Sequence, residues 1–315
     1  MSELFVRRER PKRAVVNRVL QVLYPESKLG RISRLRGGLS NHMFSAQYRA
    51  ASGDPGRIVL RMTTDWERSA SENARREYTT LLRVREAGVL APQPLMLDEA
   101  GDYLGRPGLV TSFEGRTVEN PRRPGPWLRG LAQAVATLHE VTPDRVDLTH
   151  LSRQSEASLR RKIEQGLPEG LRHDVLALEM QTSLERGLKW GPECLIHDDY
   201  WPGNVVWRRG RVGAIVDWTT AVVGDAREDV AQCRLDLAAT HSMAYADSFT
   251  REYEAATGRT LKDVWFFDLR RGVTALDSFR SWIPGYVDSG LTYMTEELME
   301  TRLRAFLRAA LENAR

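Results

Sequence analysis

The densest polar run in the chain is His197-Asp198-Asp199-Tyr200-Trp201-Pro202-Gly203-Asn204, and thirteen residues beyond it Asp217 sits inside Ile215-Val216-Asp217-Trp218. Asp199, Asn204 and Asp217 offer two carboxylates and an amide carbonyl. These are hard oxygen donors, suited to a Mg²⁺ ion that keeps some waters and takes phosphate oxygens as its remaining ligands. Carboxylates crowded together repel one another unless a cation joins them. The chemistry this points to is phosphate handling with a divalent ion.

Such residues converge only if the chain folds back on itself. Leu195-Ile196 running into three polar residues reads as a strand ending at a solvent-facing loop. Pro202-Gly203 forces a tight turn, and a strand starting at Asn204 then hairpins back through Asp217. That arrangement brings Asp199, Asn204 and Asp217 to one rim.

Around this island the chain divides in two. Residues 31–39, 42–50 and 57–62 read as strands, 69–87 as a helix stopped by Gly88, and 93–97 and 108–113 as two more strands. Together they predict a five-stranded antiparallel sheet with one helix inserted after its third strand. Gly, Pro and Arg crowd residues 114–126, which marks a boundary. Beyond it, helices are expected at 126–140, within 151–187 (one long or two shorter), and at 229–240, 242–257, 261–277 and 295–313.

The chain has 315 residues, 42% apolar and 28% charged, which is ordinary for a globular protein with a substantial core. No apolar run approaches the roughly 18 residues of a membrane span, and the charged N-terminus has no apolar stretch behind it to make a secretory signal. Cys194 and Cys233 give no disulfide framework. A cytoplasmic protein with no membrane partner is expected. The net charge of +4 comes from 41 arginines and 5 lysines that are scattered rather than striped with aromatics, so no nucleic-acid partner is expected. Residues 1–113 carry 19 Lys/Arg against 12 Asp/Glu, and residues 114–315 carry 27 against 30. An anionic ligand on one side of a cleft and a polar or cationic one on the other would suit that split, and so would compositional drift.

His197-x-Asp199-x4-Asn204 followed by Asp217 resembles the catalytic loop and metal-binding aspartate of the aminoglycoside phosphotransferase family, which includes choline kinase-like enzymes. The resemblance continues through Tyr200–Trp207, Gly213–Trp218 and Gly224-Asp225-x3-Asp229-Val230-Ala231, in the family's order and spacing. It implies an α+β, two-lobed, protein-kinase-like fold: a small antiparallel β N-terminal lobe with one helix, and a larger, mostly α-helical C-terminal lobe. Residues 1–113 would be the nucleotide-binding lobe (1–28 a helical, basic lead-in), and residues 114–315 the catalytic and acceptor-binding lobe. The implied activity is transfer of the γ-phosphate of ATP (or GTP), with Mg²⁺, to a hydroxylated small molecule of aminoglycoside type. Choline, homoserine, sugars and macrolides are the alternative acceptors, and a nucleotide-binding protein without catalysis is the alternative role. Monomer and homodimer stay open.

Residue by residue, the resemblance implies that Asp199 orients the acceptor hydroxyl and takes its proton. Asn204 and Asp217 hold Mg²⁺. His197 is structural rather than a general base, as is His139, and Asp229 braces the loop through backbone N–H groups. Gly37, Gly38, Ser40 and Asn41 resemble a phosphate-covering loop. Arg61 stands where kinases place a Lys on the α- and β-phosphates, with Glu77 as its helix partner and Glu72 as the fallback. Thr111, Ser112 and Phe113 form the purine-facing hinge. Two departures stand out: Arg61 for Lys, and Asp198 where the family usually has Gly. Unless Asp198 points to solvent or pairs with an Arg, its charge raises the pKa of Asp199; it could equally reach the acceptor. Trp201 walls the acceptor site or packs, and Asp236, Asp277, Trp282, Tyr286 and Asp288 are further acceptor candidates. No Gly-x-Ser-x-Gly, His-Glu-x-x-His or zinc-type cysteine spacing competes with this reading.

Overall fold

The computed structural model describes residues 10–35, 42–63, 69–186 and 190–314. Helix α1 (Arg13–Leu23) precedes strands β1 (Lys28–Arg34), β2 (His42–Arg49) and β3 (Pro55–Met62); helix α2 (Ala70–Glu86) then leads to β4 (Pro94–Asp98) and β5 (Gly108–Ser112). The five strands form one antiparallel sheet in the order β1-β2-β3-β5-β4, with the helix inserted after the third strand as expected. The first strand starts and ends earlier than the expected 31–39, and residues 36–41 lie outside the described residues.

Strand alternation decides which face each side chain of β3 meets. Ile58, Leu60 and Met62 point to one face, where Phe44, Met96 and Val110 join Val16, Val19 and Leu20 of α1 in a closed apolar cluster. Arg61 is out of phase with them. It faces α2, on the side where Leu109 packs with Leu81 and Val84.

After β6 (Arg116–Thr117) come α3 (Pro124–Leu138), α4 (Glu156–Glu164) and α5 (Val175–Glu185). Among the described residues, 151–186 therefore hold two α-helices, broken around Gly166 and Pro168. The β island follows: β7 (Glu193–Ile196), β8 (Val205–Arg208), β9 (Arg211–Ile215) and β10 (Val222–Asp225). β7 pairs with β10, while β8 and β9 form the hairpin onto which β6 docks. That docking is tight: a Cβ on Gly115 would sit 2.4 Å from the Trp207 carbonyl, and one on Gly213 2.4 Å from the Glu114 carbonyl.

Helices α6 (Arg227–Thr240), α7 (Met243–Thr257), α8 (Val264–Asp288) and α9 (Glu296–Asn313) complete the chain. Nearly every side of α6 is buried, as befits a helix surrounded by others; it packs against α7, α8 and α9. Helix α8 corrects the expected end at residue 277, since it continues through Pro284 to Asp288. Proline lacks the N–H for one helical bond, but Phe279 and Tyr286 are buried on either side of it. Packing carries the helix across the break. No helix among the described residues is long and apolar enough to cross a membrane. The whole is an α+β, two-lobed, protein-kinase-like architecture.

Candidate active site

Strand β7 delivers the loop. Ile196 is buried against β10, and His197 follows it into the interior, where its Nε2 lies 2.9 Å from the Val216 carbonyl and its ring meets Trp218 edge-on at 4.9 Å. The His197 carbonyl accepts from the Thr220 hydroxyl at 2.9 Å. Asp229, at the start of α6, accepts the backbone N–H of His197 at 2.7 Å and that of Asp198 at 2.8 Å. Burial pushes the Asp229 carboxyl upward, yet His139 (Nε2 to Oδ2 3.3 Å) and these N–H groups outweigh it and hold the pKa below the ordinary value. Four connections to fixed elements leave the loop little freedom.

Asp199 comes next and is met at once by Asn204, whose Nδ2 donates to the Asp199 carbonyl at 2.8 Å and to its Oδ2 at 2.9 Å. The Val216 N–H donates to the Asn204 carbonyl at 2.8 Å, which places Asp217 beside the pair. Burial pushes the Asp199 carboxyl up to about 6; His197, Arg271 and the Asn204 hydrogen bond oppose this, and Asp217 adds to it. In the turn between them, a Cβ on Gly203 would lie 2.1 Å from the Trp201 indole, so glycine is what lets that ring fold back.

Asp217 has a left-handed backbone, φ +66°, uncommon for a residue with a side chain. Thr219 Oγ1 donates to its Oδ1 at 3.0 Å, and Arg61 Nη1 lies 3.0 Å from the same oxygen. Burial pushes this carboxyl upward, but the Arg61 charge, with His197 and Thr219, more than offsets it and the pKa falls below the usual range. Arg61 also pairs with Glu77 on α2, and both are buried. Glu72, the fallback partner, is exposed. Burial raises the Glu77 pKa against the pull of Arg61. Arg76 of the same helix donates to the Thr219 carbonyl. One sheet residue thus ties α2 to the Asp217 loop.

On the other side of Asp199 lies an acidic group. Tyr286 of α8 donates its hydroxyl to buried Asp236 of α6, and its ring meets Trp201 edge-on at 5.7 Å. Burial pushes Asp236 up to about 7, with the charge of Asp199 contributing. Glu119 is 5% exposed, one of its carboxyl oxygens takes no hydrogen bond from the described residues, and burial plus Asp236 push it up to about 8. Asp198 pairs with Arg271 of α8, its Oδ1 accepting from Nη2 at 2.5 Å, which settles where its extra charge goes.

The structure therefore brings His197, Asp199, Asn204, Asp217, Arg61 and Glu77 together on one side, and Trp201, Asp236 and Tyr286 on the other. Trp282 packs partly buried against the helical core, while Asp277 is exposed beside Gly170 and Asp288 is exposed at the end of α8. Thr111 and Ser112 end β5, and Phe113 lies under the Arg57 guanidinium at 4.5 Å. The Ser112 N–H, in the segment expected to be a hinge, already donates to the Gln93 carbonyl at 2.9 Å, just before β4. Gly37, Gly38, Ser40 and Asn41 lie outside the described residues. Sequence reasoning missed Glu119, Glu228 and Arg271. A lone acid after a loop, or an Arg on an amphipathic helix, carries no local sign of being buried.

A model of the phosphotransferase enzyme family matches residues 31–264, most of the chain. The chain is similar to the hygromycin-B 4-O-kinase of Escherichia coli, 30% identical over 63 residues, a match spanning 18% of this chain and 18% of that kinase. Among solved structures, the fold is similar to that of a type I macrolide 2'-phosphotransferase (TM-score 0.62, 19% identity, covering 95% of this chain and 99% of that one). It is also similar to a thermostable mutant of aminoglycoside phosphotransferase APH(4)-Ia in a ternary complex with AMP-PNP and hygromycin B (TM-score 0.60, 16% identity, 95% and 98%). The chain belongs to the phosphotransferase enzyme family.

Proposed function

We propose that this enzyme transfers the γ-phosphate of ATP, with GTP as the alternative donor, to a hydroxyl of a cationic, aminoglycoside-like acceptor in a Mg²⁺-dependent reaction. The supporting observation is the Asp199–Asn204 pair, flanked by Asp217 and Arg61 on one side and by the carboxyls of Asp236 and Glu119 on the other. In this reading residues 1–113 take the nucleotide, with the hinge at 111–113 against the purine, and residues 114–315 take the acceptor.

Phosphoryl transfer asks a protein for positioning and neutralisation of charge rather than covalent chemistry. The Asp199 carboxylate accepts the hydrogen of the acceptor hydroxyl and aims its oxygen at Pγ. As the new O–P bond forms, the bond from Pγ to the β,γ-bridging oxygen breaks, ADP leaves with that electron pair, and the proton passes to Asp199. Asn204 spends its Nδ2 on Asp199 and keeps Oδ1 as an oxygen donor. Asp217 is held ionised, with Thr219 and Arg61 both on Oδ1, so Oδ2 is the oxygen to offer an ion. Two such donors fit Mg²⁺, which keeps waters and takes phosphate oxygens; when bound it neutralises phosphate charge. Arg61, braced by Glu77, is the cation for the α- and β-phosphates. Its planar fork can grip two oxygens at once.

An ADP-release screen at fixed Mg·ATP tests the reading, across hygromycin B and other aminoglycosides, macrolides, choline, homoserine and simple sugars. Highest turnover with a polycationic aminoglycoside is expected. Turnover confined to a macrolide or a neutral sugar would overturn the acceptor assignment. A thermal shift with Mg·ATP but transfer to no acceptor would mark a nucleotide-binding protein without catalysis.

A further inference from the structure

Asp198 has a left-handed φ of +64°, a conformation that glycine adopts at no steric cost and other residues do not. It is also charged and adjoins Asp199. Something must hold such a residue, and the contacts are specific. Its N–H donates to Asp229 Oδ1 at 2.8 Å. Its carbonyl accepts from Arg271 Nη1 at 3.0 Å, and its carboxylate from Arg271 Nη2 at 2.5 Å. Arg271 Nε lies 3.1 Å from Oε2 of Glu228, which is fully buried and pairs with Arg270 as well. Glu228 and Asp229 are neighbours in the first turn of α6. Both grips on Asp198 therefore come from one helix start, Asp229 directly and Glu228 through Arg271. Asp198, Arg271, Glu228 and Arg270 balance in charge, with side chains only 0–23% exposed.

We propose that Arg271 is a positioning residue of this enzyme: by gripping both the main chain and the side chain of Asp198, it fixes the peptide that aims Asp199. It is the partner that makes an aspartate workable at a glycine-type position. The inference rests on the reading of Asp199 as the carboxylate that orients the hydroxyl. The grip needs two N–H groups in a fixed fork aimed at two oxygens of one residue, which a lysine ammonium cannot reproduce.

The test is a double-mutant cycle of wild type, Arg271→Met, Asp198→Gly and the double variant. It is read by hydrogen exchange of the peptide 197–204 and by kcat and the KM for Mg·ATP with hygromycin B as acceptor probe. Arg271→Met is expected to speed loop exchange about tenfold by local opening. It should lower kcat on the order of 10²-fold, the scale of a misplaced catalytic group, with the nucleotide KM within about twofold. In the Asp198→Gly background the same substitution should change each quantity by about threefold or less, because only the main-chain contact is left for it to remove and glycine takes the left-handed backbone without support. Unchanged loop exchange in Arg271→Met, or an equal change in both backgrounds, would overturn the proposal and leave Arg271 merely packing α8 on α6. Should Arg271→Met not fold, Arg271→Lys keeps the charge beside Glu228 and should show an intermediate change of the same sign. Asp199→Asn separates the two failures. If it retains activity the catalytic reading falls, while the exchange cycle still reports whether Arg271 holds the loop.

Discussion

Around Arg61, one buried guanidinium stands between carboxylates from two elements, Glu77 of α2 and Asp217. Around Asp236 and Glu119, two buried carboxyls are met by the hydroxyls of Tyr286 and Ser289. The first region keeps Asp217 ionised with a cation already in place, which suits the anionic phosphate of the proposed reading. Burial pushes the acids of the second toward protonation, which in the proposed reading leaves them to be met by a cationic acceptor. Asp199 lies between them: it is raised by burial and by Asp217, and its own charge raises Asp236. The lesson is that neutralising a buried carboxylate by a guanidinium or by a proton prepares opposite ligands.

The substitution that breaks both sides at once is Asp199→Asn. It keeps shape and the Asn204 contact but cannot take the proton, so kcat should fall about 10²–10⁴-fold, with the nucleotide KM little changed; steady-state ADP release checks it. Arg61→Met attacks the cation-loaded side alone. It strands buried Glu77 together with Asp217, and removing one partner of a buried pair typically costs about 3–5 kcal/mol, read as a lower urea midpoint. Glu77→Gln should cost less, since Asp217 remains to pair with Arg61. On the proton-loaded side, Glu119→Gln should raise the KM for a cationic aminoglycoside on the order of tenfold, about the worth of one charge-assisted hydrogen bond. The KM for ATP and that for any neutral acceptor should stay as they are. Equal loss for neutral and cationic acceptors would dissolve the contrast between the two regions.

How much of this was legible depended on whether the signal was local. Asp199, Asn204 and Asp217 could be read because an apolar strand, a Pro-Gly turn and a hairpin are all short-range features, and together they bring the three to one rim. Arg61 was named through the family resemblance, which puts a phosphate-binding cation at the end of the third strand; the alternation that turns it from Ile58 and Leu60 toward α2 is seen in the fold. The expected end of α8 at residue 277 fell short because the helix runs on through Pro284 to Asp288, held by packing of Phe279 and Tyr286 that no local pattern announces. Arg271 and Glu228 stayed hidden for the same reason in reverse. Each looks like an ordinary solvated charge on its own helix, and only the crossing of α6, α8 and the loop buries them against one another. Asp198 gave half the message, its conflict with a glycine position, without the partner that resolves it.

A further expected effect concerns stability rather than turnover, and its sign is fixed by the carboxyls of Asp236 and Glu119. In the folded protein Asp236 is raised to about 7 and Glu119 to about 8, both mainly by burial, whereas in the unfolded chain they titrate near 4. Between those values the folded state binds more protons than the unfolded one, so stability falls as pH rises. The contribution is fully present below about pH 4 and is lost as pH climbs through about 7 to 8, opposite to the usual salt-bridged carboxylate. The melting temperature of the ligand-free enzyme should therefore decline from pH 5 to pH 8. Glu119→Gln, which holds a neutral side chain at every pH, should flatten that slope. A cationic aminoglycoside at saturation should flatten it as well, by supplying the counter-charge that protons supply in its absence. A slope unchanged by Glu119→Gln would mean that the proton is held elsewhere, and the acceptor side would lose its claim to await a cation.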